Sequence, residues 1–300
     1  MRAINVVRTL PKKRVTSMSF RYTLRSKREI KKMRIAGLVV WEAHQTAARI
    51  IKSGVTTSEI NQVYIDVFSR HNAEPLFLNY GGTQHRPPFP AEICASVNDE
   101  VVHGIPSDRQ LETGDTIAVD TGCRIDGWCG DAAVTHAIGS IDSETSKLLE
   151  VTQQTLDLAI DGMGRCSKWS QVAKEMEDFV HAAGFSVVEE MVGHGIGKNL
   201  HEPPQVPNYL SPSLLGDEDF DLRPGLVLAV EPMVNAGTKE ILEEDDGWTI
   251  VTADAKPSAH FEHTLAITAD GVLRLTGPPN DEEVASMPEW LHDSSKWLLW

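Results

Sequence analysis

Two observations on the sequence predict an α+β domain made of two related halves. The segments LETGDTIAVD at 111–120 and LRPGLVLAVE at 222–231 share Leu, Gly, Ala, Val and a terminal carboxylate in the same register. In addition, each half passes through two helical patterns, a His-Gly-Ile tripeptide, and a glycine turn that leads into an apolar strand. Such a duplication indicates a pseudo-two-fold axis with a site between the halves.

The composition is that of an ordinary globular protein, with 300 residues, 41% hydrophobic and 24% charged. No apolar run is long enough to cross a bilayer, and the first residues lack the apolar stretch of a secretory signal. The four cysteines form no Cys-x-x-Cys pair, which predicts reduced thiols. We therefore expect a soluble cytoplasmic protein without a membrane partner, and a monomer because no feature forces an interface.

Charge is distributed unevenly along the chain. Residues 1–34 hold 12 of the 28 Lys and Arg but one of the 43 Asp and Glu, so the remainder carries 16 minus 42, or −26. A body this acidic is not expected to bind DNA. We expect a basic, flexible arm at 1–25, a catalytic domain at 26–276 and a tail at 277–300. The arm is compatible with a contact to the ribosome, a membrane surface or an organelle address.

The first half opens with two predicted helices. Ser26 and Glu29 form a capping box, and apolar residues follow at helical spacing until Gly54. The same capping pattern begins at Thr56 and predicts a second helix as far as about residue 72.

The second half repeats this helix pair. A helix is predicted from about 143 to 161, and Gly162 and Gly164 are expected to end it. The next helix is predicted from about 168 to 183, with Gly184 after it.

Each duplicated strand presents a carboxylate where an apolar residue would be ordinary. Asp120 and Glu231 follow apolar runs, and strand-like sequence continues beyond each acid. Burial of an unpaired charge is costly, so these side chains are expected to need a cation.

A third carboxylate is placed by a hairpin in DTGCRIDGWCGD, residues 120–131. The Asp126-Gly127 pair predicts a type I′ turn, which sets Gly122 opposite Asp131. Asp120 then lies diagonally across from Asp131 on one face, where the two could clamp a metal.

A fourth carboxylate, Glu262, interrupts the apolar strand predicted in KPSAHFEHTLAIT, residues 256–268. Alternation along a strand places Phe261 and His263 on the opposite face. His260 and His263 are both expected to face away from the metal centre.

A histidine completes the predicted ligand set. His194 lies in VGHGIGKNLHEP, whose three glycines predict a loop shaped around a ligand. Four acids and one imidazole would neutralise two divalent ions, and oxygen-rich ligands favour Mn, Fe or Co, although a single calcium ion stays open. The five proposed ligands are Asp120, Asp131, His194, Glu231 and Glu262.

Five motifs together resemble the type I methionine aminopeptidases over residues 26–276. They are SVNDEVVHGIP, the hairpin with its two aspartates, GHGIGKNLHEPPQVPNY, EPMVNAG and EHT. The resemblance implies a pita-bread fold, in which a curved antiparallel sheet carries the site and two helix pairs lie behind it. It also implies a dinuclear centre, with Zn as a further candidate metal, and N-terminal Met peptides of nascent chains as substrates.

The resemblance assigns a role to each ligand. Asp131 and Glu262 would bridge the two metals, Asp120 would complete one, and His194 with Glu231 would complete the other. Hydroxide generated at such a centre would attack the first peptide bond.

The resemblance also implies residues that contact the substrate. His201 would contact the scissile carbonyl, His103 the region of the scissile nitrogen, and Glu231 would shuttle the proton. The methionine side chain would lie in a soft apolar pocket lined by Phe89, Cys94, Leu200 and Trp248. Structural roles are expected for His44, His71, His85, His181 and His292.

The chain departs from the family pattern beside two ligands. Ala132-Ala133 follows Asp131, where a threonine is more usual, and Thr121-Gly122 follows Asp120 as in proline-specific peptidases of the same fold. An Xaa-Pro peptidase is therefore one alternative, although 25 residues leave no room for its usual amino-terminal domain. A non-catalytic binding protein is the other, although such proteins generally lose metal ligands.

Overall fold

The computed structural model describes residues 22–84 and 86–284. The predictions for the arm as far as residue 21, for His85, for His292 and for the tail from residue 285 lie outside the described residues. The helices of the described part are α1 (Lys27–Ala48), α2 (Thr57–Arg70), α3 (Ser143–Arg165), α4 (Trp169–Ala182), α5 (Pro212–Leu215) and α6 (Asp281–Val284).

Capping boxes start the first two helices, as predicted. The Ser26 hydroxyl accepts a hydrogen bond from the Glu29 amide, and the Glu29 carboxylate accepts one from the Ser26 amide. Thr56 and Glu59 make the same reciprocal pair before α2. Each box satisfies two backbone amides that have no partner within the helix.

Helix α3 does not end at residue 161, which corrects the prediction. It continues through Gly162 and Gly164 and ends at Arg165, so these glycines do not end the helix. A Cβ atom on Gly162 would come within 3.1 Å of a Val172 methyl group, so the glycine permits close packing of α3 on α4.

The strands of the described residues are short except for the hairpin β4–β5. They are β1 (Glu74–Pro75), β2 (Cys94–Val97), β3 (Glu100–Val102), β4 (Thr116–Ile125), β5 (Trp128–Ala137), β6 (Ser186–Val187), β7 (Gly193–Gly195), β8 (Glu202–Val206), β9 (Val227–Val230), β10 (Met233–Asn235), β11 (Ile241–Glu243), β12 (Ile250–Thr252), β13 (Ser258–His260), β14 (His263–Thr268) and β15 (Gly271–Arg274).

The two halves each build an antiparallel sheet with helices against it. In the first half, β4 pairs with β1, β2 and β5, and α1 lies against β4 and β5. In the second half, the strand order is β15-β14-β9-β7-β8, and α3 lies against β13, β14 and β15. Separate apolar cores fill the two halves. The predicted α+β class with two related halves is confirmed.

The hairpin register is also confirmed. Asp126 and Gly127 have φ angles of 48° and 79°, as a type I′ turn requires, and Gly122 pairs with Asp131.

The repeated His-Gly-Ile tripeptides are not structurally equivalent, so this part of the predicted duplication is wrong. His194 lies on β7, opposite Ala229 of β9. In the first half, the counterpart of β9 is β4, and Ala118 of β4 corresponds to Ala229. The residue opposite Ala118 is Ser96 of β2, not a histidine. His103 instead follows β3 with a φ angle of 62°.

The first sheet meets the second half along a seam between β5 and residues 260–264, which join β13 of the separate sheet β13-β10-β6 to β14. The Glu262 amide donates a hydrogen bond to the Ala133 carbonyl at 2.9 Å. On one side of this bond, the Thr264 hydroxyl accepts from the Asp131 amide and donates to the Asp131 carbonyl. On the other side, the Thr135 hydroxyl accepts from the His260 amide and donates to the His260 carbonyl. Residues 256–268 are therefore not one strand as predicted, because β13 and β14 separate at Glu262.

Residues 22–25, which the sequence places in the flexible arm, are packed on the body. The Tyr22 hydroxyl donates to the Asp221 carbonyl, and the Arg25 guanidinium pairs with Glu202. These contacts attach residues 22–25 to the second half of the fold. Within 22–84 and 86–284, no helix is both long and apolar enough to cross a membrane.

Candidate metal centre and active site

A cavity of about 270 Å³ lies where the two halves meet, and every sequence-predicted site residue lines it. The predicted residues found there are Phe89, Cys94, His103, Asp120, Asp131, His194, Leu200, His201, Glu231, Trp248 and Glu262. The cavity residues that the sequence did not single out are Phe77, Tyr80, Arg86, Val102, Met191, Val192 and Met233.

Five polar side chains of the cavity come from different strands or strand ends. Asp120 lies on β4 and Asp131 on the adjacent β5. His194 lies on β7, Glu231 directly follows β9, and Glu262 lies between β13 and β14. Donors carried by the two sheets therefore converge, and rigid strands hold them.

Three of these donors are close enough to share one ion. Asp131, His194 and Glu262 each offer a ligand atom, and these atoms lie within 4.8 Å of one another. His194 Nε2 lies 3.8 Å from Asp131 Oδ2 and 3.6 Å from Glu231 Oε1. The histidine thus joins the aspartate of one half to the glutamate of the other.

The hydrogen bond of His194 suits it to bind a metal. Its Nδ1 lies 2.9 Å from the Gly195 carbonyl oxygen, which can only accept, so Nδ1 carries the proton. Burial lowers the pKa of His194 to about 3, with His201 as a smaller cause, so the ring is neutral. Its Nε2 lone pair therefore faces the carboxylates, as in metal-binding histidines.

His194 itself lies on a strand, Gly193–Gly195, whereas the sequence predicts a loop there; residues 196–201, which follow it, are irregular as predicted. Strand β7 lies between β8 and β9 in the second sheet. A Cβ atom on Gly193 would come within 2.4 Å of the Ala229 carbonyl oxygen, so glycine lets the two backbones approach closely. The glycines shape a tightly packed strand that presents the histidine.

The carboxylates are strongly perturbed, first by burial and then by one another. Burial raises the pKa of Asp120 to about 8 and the pKa of Asp131 well above its ordinary value, to which the nearby Asp120 also contributes. Burial and the neighbouring acids likewise raise the pKa values of Glu231 and Glu262. In the described residues, no Lys or Arg forms an ion pair with any of the four. Such a cluster favours a cation.

Unsatisfied oxygen atoms provide a separate test of whether these residues fit a metal. Asp120 Oδ1, Asp131 Oδ1 and Glu262 Oε1 are buried and have no hydrogen-bond partner among the described residues. Buried polar atoms are normally paired, and carboxylate oxygens are ligands of divalent ions. The donor set therefore fits divalent metal.

Thr264 holds Asp131 in place from across the seam. Its hydroxyl accepts from the Asp131 amide at 3.0 Å and donates to the Asp131 carbonyl at 2.8 Å. The residues after Asp131 are alanines and cannot make such bonds. A threonine from the other half therefore orients this aspartate.

Two histidines lie beside the donor cluster. The rings of His201 and His194 are 4.3 Å apart between centroids, and the Tyr80 hydroxyl lies 2.7 Å from His201 Nδ1. His103 meets the Trp248 ring edge-on, and burial lowers its pKa to about 4. Burial also lowers the pKa of His201, so both imidazoles are largely neutral near pH 7.

Apolar residues form most of the remaining cavity wall. Phe89 and Trp248 make an edge-to-face pair with centroids 5.2 Å apart, and the Trp248 indole donates to the Pro87 carbonyl at 2.9 Å. Cys94 lies beside them, and burial raises its pKa well above the ordinary value, so it remains a thiol. The Arg86 guanidinium lies 3.9 Å from the Trp248 ring centroid.

The two histidines that flank Glu262 do not behave alike. His263 faces away, as predicted, with Nδ1 2.8 Å from the Thr276 hydroxyl. The prediction for His260 is wrong, because its Nε2 lies 3.7 Å from Glu231 Oε2. The break between β13 and β14 changes the alternation of side chains on which that prediction depended.

Comparisons with known proteins find relatives that are similar in sequence and in fold. Metallopeptidase family M24 matches residues 31–269. Methionine aminopeptidase 1 of Bacillus subtilis is 42% identical over 249 residues, which cover 83% of this chain and 96% of that protein. The crystal structure of methionine aminopeptidase from Thermotoga maritima is similar with a TM-score of 0.79 and 37% identity, covering 85% of this chain and 98% of that one.

A more distant structure shares the fold alone. Prolidase from Pyrococcus furiosus matches with a TM-score of 0.67 at 18% identity, covering 86% of this chain and 66% of that one. These likenesses confirm the predicted pita-bread fold.

Proposed function

The chain belongs to metallopeptidase family M24, and from this premise we propose that it removes the initiator methionine from nascent proteins as a metal-dependent aminopeptidase. The observation that carries the proposal is one cavity in which a cluster of four carboxylates and a histidine adjoins an apolar pocket. The cluster suits hydrolysis of a peptide bond, and the pocket suits a flexible thioether side chain.

We propose that the donor cluster holds two divalent ions, with Mn, Fe or Co favoured and Zn as a further candidate. Asp120, Asp131 and Glu262 would hold the ions together with His194 and Glu231. The unpaired carboxylate oxygens and the neutral His194 support this assignment. When bound, such ions lower the pKa of water toward neutrality and polarise a carbonyl group.

The protein's own groups then position the peptide. If the Tyr80 hydroxyl donates to His201 Nδ1, the proton of His201 lies on Nε2, which can donate to the carbonyl oxygen of the scissile bond. We assign His103 to the scissile nitrogen and Glu231 to proton transfer toward the leaving amine. The methionine side chain would lie against Phe89 and Trp248.

The two alternatives are less well supported. The likeness to prolidase is at 18% identity and concerns the fold alone. A non-catalytic binding protein would have no need of five converging donors whose pKa values are so strongly perturbed. The binding of the ribosome through the basic arm, the monomeric state and the cytoplasmic location stay predictions.

Peptide selectivity tests the proposal. Metal-stripped protein is resupplied anaerobically with Mn, Fe or Co and offered Met-Ala-Ser or Ala-Pro-Ser. We expect metal-dependent release of methionine and no cleavage before proline. Cleavage only before proline would assign the chain to the Xaa-Pro peptidases.

A variant of the proposed proton carrier tests the site assignment. Glu231→Gln keeps the size of the side chain but removes its charge, so it should fold and lose methionine release. Normal turnover by this variant would contradict the site assignment, while circular dichroism and thermal unfolding would verify that the variant is folded.

A further inference from the structure

His260 is a buried imidazole that the proposed mechanism does not use. It is the last residue of β13 and is only 1% exposed. Its Nε2 has no hydrogen-bond partner among the described residues, yet it lies 3.7 Å from Glu231 Oε2. A buried polar atom without a partner is unusual and points to a function at this position.

His260 and His194 lie at opposite ends of the Glu231 carboxylate. Glu231 Oε1 is 3.6 Å from His194 Nε2, and Oε2 is 3.7 Å from His260 Nε2. The two oxygens of one carboxylate therefore face different imidazoles. Rotation of the carboxylate about its terminal bond would exchange these two environments.

The backbone of His260 is held firmly enough to position its ring. The Thr135 hydroxyl accepts from the His260 amide at 2.9 Å and donates to the His260 carbonyl at 2.7 Å. The opposite edge of β13 pairs with β10, with His260 beside Met233. A residue held on both sides can fix the orientation of a neighbour.

We propose that His260 is a positioning residue that holds Oε2 of Glu231 through its Nε2 proton and thereby keeps Oε1 turned toward His194. A shift of roughly 0.7 Å brings the pair to hydrogen-bond length. The inference rests on the proposed function, since it assigns His260 a role through the metal ligand Glu231. Loss of this support should weaken metal binding, and not merely destabilise the fold.

Two substitutions separate positioning from packing. His260→Leu fills the space but has no N–H group, whereas His260→Gln retains an amide donor. His263→Gln is the matched control, because this neighbouring buried histidine contacts Thr276 on the other side. Each metal-stripped full-length protein is titrated with Mn²⁺ in an anaerobic calorimeter, and kcat and KM are measured with Met-Ala-Ser.

We expect His260→Leu to weaken Mn²⁺ binding by about 10- to 100-fold, as loss of a group that orients a metal ligand typically does. His260→Gln should recover most of that loss, and His263→Gln should bind Mn²⁺ as the parent does. Parent-like binding by His260→Leu, or equal losses in both His260 variants, would overturn the inference. If the parent binds no Mn²⁺ and releases no methionine, the proposed function itself fails.

Discussion

Replacement of Thr264 by valine should loosen Asp131 and destabilise the protein. Thr264 is fully buried, and its hydroxyl bonds to the Asp131 amide at 3.0 Å and to the Asp131 carbonyl at 2.8 Å. Valine keeps the shape of the side chain but leaves both backbone groups unpaired. Each unpaired buried group costs about 1–3 kcal/mol, so Thr264→Val should lower the free energy of unfolding by about 2–6 kcal/mol.

Thr268 provides a control on the same strand. Its hydroxyl also makes two bonds, from the Asp270 amide and to the Gly271 carbonyl, but at an exposed turn where water can replace them. Thr268→Val should therefore cost about 1 kcal/mol or less. Urea unfolding of the metal-free proteins measures both changes, and Mn²⁺ titration should show weaker binding for Thr264→Val alone. Equal effects of the two variants would refute the role of Thr264.

Three further predictions concern the pocket, the strand that presents His194, and pH. Trp248→Ala should lower kcat/KM for Met-Ala-Ser by about 10- to 100-fold, mostly through KM, because it removes part of the apolar surface around methionine. Gly193→Ala brings a methyl group within 2.4 Å of the Ala229 carbonyl and should abolish Mn²⁺ binding in calorimetry. The pKa of Asp120 is about 8 in the metal-free folded state, compared with 3.8 for an ordinary aspartate. Between these pH values the folded state binds more protons than the unfolded state, so its stability falls as pH rises toward 8. The lowered pKa of His194 affects stability only below pH 6.5, so Mn²⁺ should raise Tm more at pH 8 than at pH 6.5.

Elements specified by local interactions could be predicted from the sequence. The capping boxes at Ser26 and Thr56 set the starts of two helices, because the bonds are made within four residues. The Asp126-Gly127 turn fixed the register of β4 and β5, and with it the facing of the two aspartates. Periodicity and turn chemistry are sufficient in such places.

Features that depend on packing between distant segments could not be predicted in this way. Gly162 lies inside a helix, where Val172 of the next helix packs against it. Gly193 lies in a strand, where the Ala229 backbone of the neighbouring strand packs against it. The orientation of His260 follows from the seam with Thr135, which no local pattern reveals. Tyr80 and other cavity residues come from an irregular segment without periodicity, so only their place in space identifies them.

The most direct test of the metal centre measures bound metal and methionine release in the same anaerobic titration. Metal-stripped protein receives Mn²⁺ stepwise, and both the ions bound per chain and the rate with Met-Ala-Ser are recorded. Asp131→Asn, which alters the central carboxylate of the cluster, is titrated alongside. We expect release of methionine to appear with metal, to saturate at two ions per chain, and to be lost in the variant. Full occupancy without release, or release without metal, would contradict the assignment of this cavity as a metal-dependent aminopeptidase site.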